Sequence, residues 1–187
     1  CMPVLDGSRV SYKPIEYVVI TLPICSHIFG VSPCTASGVQ CYNSYHTCTD
    51  KANYAQTAFS PAFCTVDCQV AGYLPYVKSI NYLPTEIADS FAVSGRVKIE
   101  MVDDTQVPSY TDPYSLIRTT PSSGSFWKSM IQRYPNVRGK TVRIYQSFEG
   151  GTPELRWSGK IDDISIKQDG SIVIEAIDPV RAMKDIY

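Results

Sequence analysis

The sequence predicts a mainly-β fold: a barrel-like domain with one short helix and an inserted cysteine-rich, loop-dominated lobe. Three observations point to it. Apolar residues alternate with polar ones in several short stretches of the second half of the chain, the period-2 mark of half-buried strands. Only one stretch has helical spacing, and no alternation of strand and helix appears, which argues against a parallel α/β sheet. Six of the seven cysteines fall between residues 25 and 75, a zone with no sustained helical or strand period.

Taken in order, residues 1–24 end in the apolar run "IEYVVITLPI", which predicts a buried strand closed by Pro23. Residues 25–75 form the expected lobe, and residues 76–187, together with 1–24, the β-rich domain into which it is inserted. In "SGRVKIEMVDD", Val97, Ile99 and Met101 alternate with Arg96, Lys98 and Glu100, and in "GKTVRIYQSF" Val142 and Ile144 repeat the pattern. "SFWKSMIQRYP" predicts the helix: Ser125 can cap it, Phe126, Trp127, Met130, Ile131 and Tyr134 fall on one broad face, and Pro135 stops it. "GKIDDISIKQDGSIVIEAID" predicts a hairpin turning at Asp169-Gly170. Its first arm changes phase between Ile161 and the pair Ile164 and Ile166, so a β-bulge is expected at Asp162-Asp163.

Composition excludes several functions. At 187 residues the chain is long enough to bury a core without covalent staples. Its 17 basic and 18 acidic residues leave no bulk charge with which to grip nucleic acid or an anionic membrane. The longest apolar run, Tyr17 to Cys25, is too short to span a bilayer, so no stable membrane insertion is expected. A start at Cys1 and an end in "DPVRAMKDIY", where a helix begins, read as a piece of a longer protein. The 13 tyrosines lack the interleaved basic residues of a single-strand nucleic-acid platform and read as packing residues. The pairs Asp103-Asp104 and Asp162-Asp163 are the only candidates for general acid and base. No serine or histidine constellation accompanies them, so no catalytic residue is assigned and no enzyme is expected. The Asp112-Pro113-Tyr114 turn reads as architectural.

The cysteines carry the chemistry. Cys25, Cys34, Cys41 and Cys48 are spaced by eight, six and six residues, and Cys64 and Cys68 follow. An odd total and the absence of a secretory signature argue against a disulfide framework. Four thiolates suit a structural zinc site, but zinc knuckles use pairs two to four residues apart, and only Cys64 and Cys68 approach that spacing. Ligands each on a separate loop also suit an iron-sulfur cluster, and spacing leaves the two metals open. His27 and His46 read as surface or hydrogen-bonding neighbours. Cys1, Cys64 and Cys68 read as buried or free thiols.

"CSHIFGVSPCTASGVQCYNSYHTCTDKANY" resembles the cysteine-rich segment of siphophage tail tip hub proteins, in which a cysteine, a Tyr/Phe-Gly turn, "pCtA", "kCyNT" and "TCxD..NY" follow in that order. The later blocks "DPYSLIR", "GSFWKSMIQRYPNVRG", "VRIY", "GKIDDI" and "DGSIVIEAIDP" resemble the same family, so the likeness runs from about Tyr17 onward. The cysteine block precedes the β zone, which looks like the gene-transfer-agent arrangement rather than the lambda-type one. The family's "CyNT" is "CYNSY" here, and Cys64 and Cys68 are extra thiols.

The resemblance implies a 4Fe-4S cluster on Cys25, Cys34, Cys41 and Cys48, with zinc as the alternative metal and Cys64 or Cys68 as a substitute ligand. It implies a structural virion protein at the tail tip, assembled in the host cytoplasm. As a baseplate hub, such a subunit forms a homo-oligomeric, trimeric ring. It would contact tail tube, distal tail and central fibre or spike proteins, with DNA only in passage during ejection. The competing reading is a soluble iron-sulfur electron-transfer or redox-sensing protein, or a structural zinc domain.

Overall fold

The computed structural model describes residues 14–26, 43–48, 50–68, 70–83, 87–88, 91–92, 95–102, 126–148 and 151–178, with the backbone alone at 87–88, 91–92, 128–129 and 132–133. The expected cap Ser125, the carboxylates Asp103 and Asp104 and the Asp112-Pro113-Tyr114 turn lie outside these residues.

The strands are β1 (Ile15–Cys25), β2 (Gln56–Phe59), β3 (Ala62–Thr65), β4 (Leu74–Leu83), β5 (Ile87–Ala88), β6 (Phe91–Ala92), β7 (Arg96–Met101), β8 (Thr141–Ser147), β9 (Glu154–Ile166) and β10 (Ile172–Ile177). Among the described residues one helix, α1 (Phe126–Arg133), and one 3-10 turn at Lys51–Asn53 accompany them. Seven strands close into a barrel in the order β1-β3-β4-β7-β10-β9-β8, and the β1–β8 ladder from Ile15↔Ser147 to Thr21↔Thr141 seals it. Closure removes the free edges that an open sheet would present for aggregation. β5 and β6 form a separate two-stranded hairpin.

Alternation sets the core. On β1, Val18, Ile20, Leu22 and Ile24 are buried, and Val97, Ile99 and Met101 on β7 and Val142 and Ile144 on β8 do the same from their strands. α1 adds its aromatic face to this same cluster: Phe126, Trp127 and Met130 are at most 1% exposed. Phe63 of β3 stacks on Trp127 at 5.2 Å between ring centroids and meets Phe126 edge-on at 5.5 Å. The helix ends as predicted before Pro135, with Tyr134 N–H donating to the Met130 carbonyl at 2.8 Å.

The β9–β10 hairpin has the expected form. Gly170 takes φ 82°, the left-handed conformation that closes a three-residue loop between Lys167 and Ser171. Asp169 accepts from the Ser171 N–H at 3.0 Å and from its hydroxyl at 2.6 Å. The register jumps between Glu175↔Asp163 and Ala176↔Ile161, leaving Asp162 unpaired as the bulge. That extra residue brings Ile164 to the same face as Ile161, so that Ile161 is buried and Ile164 packs against the core, while Ile166, the last residue of β9, is 51% exposed. At Gly159 a Cβ would fall onto the Ile177 carbonyl and the Trp157 ring, so only glycine lets β9 cross here.

Two boundaries differ from expectation. Pro23 does not close β1, which continues to Cys25 by pairing with β2 from Leu22↔Phe59 to Cys25↔Gln56. Past Thr21 the β8 ladder has ended, so β1 has a partner on one side only and tolerates a residue without an N–H. The segment 25–75 also contributes to the barrel: β3 is one of its staves and β2 extends it. Those strands are four residues long, too short for periodicity to reveal. β3 runs parallel to β4, and because β3 is so short the return through residues 66–73 suffices where longer parallel strands need a full crossover.

Candidate metal centre

Two positions on β1 break the alternation. Tyr17 and Cys25 belong to the outward-facing set, yet both are buried, at 5% and 0% exposure. Each marks a place where something covers the outside of the barrel.

At Cys25 the cover is the returning cysteine segment. Cys25 N–H donates to the Asn43 carbonyl at 3.0 Å and Ser26 N–H to the Ala55 carbonyl at 2.7 Å. Residues 44–48 form a tight turn in which Thr47 and Cys48 N–H groups both donate to the Ser44 carbonyl, at 3.2 and 3.0 Å. The Ser44 and Thr47 hydroxyls lie 3.1 Å apart and the Ser44 N–H reaches the Thr47 hydroxyl at 3.0 Å, so side chains reinforce the turn where no ladder does. Cys48 is buried, and its Sγ lies 3.3 Å from the Asp50 carbonyl. Tyr45 packs edge-on against Tyr54 at 5.4 Å, with Lys51 Nζ 5.6 Å above the Tyr45 ring. The first and last cysteines of the segment therefore flank one short turn.

At Tyr17 the cover is different. Cys64 pairs directly opposite Tyr17 across the β1–β3 ladder. Cys68, in the loop after β3, packs with both and with Ile15, Val70, Tyr73 and Tyr145 in a second apolar cluster. Tyr17 and Tyr73 rings meet at 4.9 Å, and the Tyr17 hydroxyl lies 3.1 Å from that of Ser147. Burial, with the neighbouring Cys68 adding to it, pushes the Cys64 thiol up to about 12. Its apolar enclosure matches the expected role of a buried packing thiol.

All four described cysteines, Cys25, Cys48, Cys64 and Cys68, are free thiols. Cys1, His27, Cys34 and Cys41 lie outside the described residues. Among the described residues no three of His, Cys, Asp and Glu converge on one metal position. His46 sits on the exposed side of the 44–48 turn, 6.0 Å edge-on from Tyr45. The carboxylates Asp162 and Asp163 sit at the bulge, and Asp162 is held by Arg138 at 2.8 Å, an exposed ion pair rather than an acid-base dyad.

Distance separates the two thiol pairs. From Tyr17, opposite Cys64, to Cys25 is eight residues of extended strand, roughly 26 Å. Metal–thiolate bonds of about 2.3 Å cannot bridge that, so neither Cys64 nor Cys68 can replace a ligand beside Cys25. Sequence gave no warning of this, because the four-residue β3 that sends Cys64 to the far end is too short to recognise. No protein-family model matches the chain, and no curated protein does either. Among the described residues no helix is long and apolar enough to cross a membrane.

Proposed function

We propose that the chain is a structural subunit built on a closed barrel, with a cysteine-ligated metal centre that fixes the shape of its lobe. More specifically, it serves as the tail tip hub of a long-tailed bacteriophage, and the centre is a 4Fe-4S cluster on Cys25, Cys34, Cys41 and Cys48. One observation carries the metal reading: Cys25 and Cys48 are buried at the same turn and in no disulfide, yet neither belongs to the apolar clusters formed by the described residues. Thiols buried for packing resemble Cys64 and Cys68, enclosed by aromatic rings. Cys25 and Cys48 instead lie under a turn tied by backbone and hydroxyl hydrogen bonds, a cover that a bound centre would brace. Cys41 is two residues from Asn43, the partner of Cys25 N–H, so the chain length needed to bring it to the same turn is short.

The donor set fits the group. Four thiolates would hold the cluster, and its binding energy would serve as folding energy for a segment with little apolar periodicity. The assignment to a tail hub rests on the resemblance of the cysteine block and the later β blocks, and a closed barrel is a sound ring-forming unit. No turnover chemistry is proposed. Anaerobic purification followed by iron and acid-labile sulfide assay tests the centre. Iron with sulfide near the stoichiometry of one cluster per chain supports it, zinc without sulfide replaces it with a structural zinc site, and neither metal overturns it. For the hub role, tails assembled with Cys34→Ser chains should be incomplete, and normal infectious particles would count against it.

A further inference from the structure

The closure of the barrel leaves a cleft whose chemistry nothing above uses. The β1–β8 ladder stops at Thr21↔Thr141, but β1 runs on with β2 to Cys25, while the chain entering β8 turns away through residues 135–140. Where the two strands part, a cavity of about 170 Å³ opens between the 44–48 turn and the α1–β8 connection. Pro23 forms one side, Tyr45, His46 and Tyr54 come from the lobe, Gln56 from β2, and Asn136 and Lys140 from the connection.

Three features define what would fit. The described residues lining the cleft include Lys140 and no carboxylate, so an anionic group is favoured and a cation is not. Two side-chain amides, Gln56 and Asn136, each offer a donor pair and an acceptor, the equipment for hydroxyl groups that both give and accept hydrogen bonds. Tyr45 is 48% exposed, with Tyr54 edge-on to its ring and Lys51 Nζ over one face, which holds an aromatic surface at the rim. The volume is well below the roughly 300 Å³ of drug-sized sites and equals the share of about six water molecules, on the scale of one sugar ring.

We propose that this cleft binds a small sugar phosphate, with Lys140 on the phosphate, Gln56 and Asn136 on the hydroxyls and the Tyr45 ring against the sugar face. Its lining includes none of the cysteines, but Ser44, Tyr45, His46 and Tyr54 belong to the lobe that the proposed centre would hold, so the titration uses anaerobically purified chain of measured metal content, which separates a failure of the cleft from a failure of the centre.

The test is a titration of the full-length, isotope-labelled chain followed by amide and side-chain NMR shifts, with glucose 6-phosphate, glucose and inorganic phosphate as separate probes. Glucose 6-phosphate should give saturable shifts at Gln56, Asn136 and Lys140, with glucose and inorganic phosphate each weaker by roughly tenfold or more. Lys140→Met should weaken glucose 6-phosphate by roughly tenfold, and Tyr45→Ala should weaken it while leaving inorganic phosphate unchanged. Both positions are at the surface, and an unchanged thermal transition in each variant shows that the fold is kept. Absence of saturable shifts at these residues overturns the proposal. So does inorganic phosphate binding as tightly as the sugar phosphate, or an affinity unaffected by Lys140→Met.

Discussion

Both ends of β1 bury a cysteine on the outside of the barrel, and they do it by opposite means. Near Tyr17, Cys64 and Cys68 lie under tyrosine rings, and desolvation holds the Cys64 thiol in its protonated form. Near Cys25, the cover is a turn tied by backbone and hydroxyl hydrogen bonds, and the described apolar clusters do not include the buried sulfurs. The lesson is that burial alone does not sort a structural thiol from a ligand. What surrounds the sulfur does: burial under rings and aliphatic groups penalises a thiolate, and a second thiol nearby adds to that penalty, as Cys68 does for Cys64.

The largest expected effect tests that division directly. Replacing Cys25 or Cys48 by serine should abolish retention of iron and sulfide and expose residues 43–55 to limited proteolysis. Cys64→Ser and Cys68→Ser should leave the iron content unchanged. Equal loss of iron in all four variants would erase the distinction between the two ends.

A second test acts from inside the barrel. Phe63 and Cys64 are adjacent on β3 and face opposite ways: Phe63 stacks on Trp127 in the core while Cys64 lies beneath the outer tyrosines. Trp127→Ala should cost about 3–5 kcal/mol in denaturant unfolding. It should also speed labelling of Cys64 by a thiol reagent, because β3 loses its inner support. The metal content should not follow, since Cys25 is held by a different part of the chain.

How much of this was legible in the sequence depends on the length over which a pattern repeats. Val97, Ile99 and Met101, or Val142 and Ile144, repeat often enough to announce strands. The change of phase between Ile161 and Ile164 announced a bulge, and the pair Asp169-Gly170 announced a turn because it supplies the positive φ angle a tight loop needs. α1 was legible from five apolar residues and a proline. β2 and β3 were not, because each is four residues long and neither alternates: Phe59 is the one buried residue of β2, and Phe63 and Cys64 are buried side by side on β3. The same brevity hid the separation of Cys64 from Cys25, which depends on ladder register rather than on sequence distance. Pro23 misled for a related reason: whether a proline ends a strand depends on whether its neighbour on that side has already left, and that is a fact about β8. The sugar-sized cleft was invisible throughout, since its lining is drawn from four separate segments.

A smaller effect concerns Cys64 alone. Its folded pKa of about 12 exceeds the ordinary value of 9.0, so between those values the folded chain keeps a proton that the unfolded chain has lost. Stability from this group is therefore intact below pH 9 and declines as pH rises from 9 toward 12. Cys64→Ala should cost about 1 kcal/mol at pH 7 through lost packing and should flatten the alkaline decline, measured as denaturant midpoints from pH 7 to 11. An identical alkaline slope in the variant would mean that tyrosines such as Tyr73, raised by burial in the same cluster, dominate it.

The smallest effect lies on the exposed barrel surface, away from both thiol pairs, and serves as the control for them. Glu100 on β7 accepts from Lys78 Nζ at 3.0 Å and from Lys167 Nζ at 3.2 Å, tying β4 and the β9–β10 loop to the strand between them. The hydrogen bonds from Lys78 and then Lys167 lower its pKa below the ordinary 4.5. A lowered carboxylate pKa contributes stability that is present above 4.5 and is lost as pH falls through the lower folded value. Glu100→Gln should remove that acid-side component and shift the thermal midpoint near neutral pH less than Cys64→Ala does, because exposed pairs are screened by water and salt. The shift should shrink further at high salt. A salt-independent loss as large as that of Cys64→Ala would show that this cross-strand tie, and not the buried outer cluster, is what secures β4 to the barrel wall.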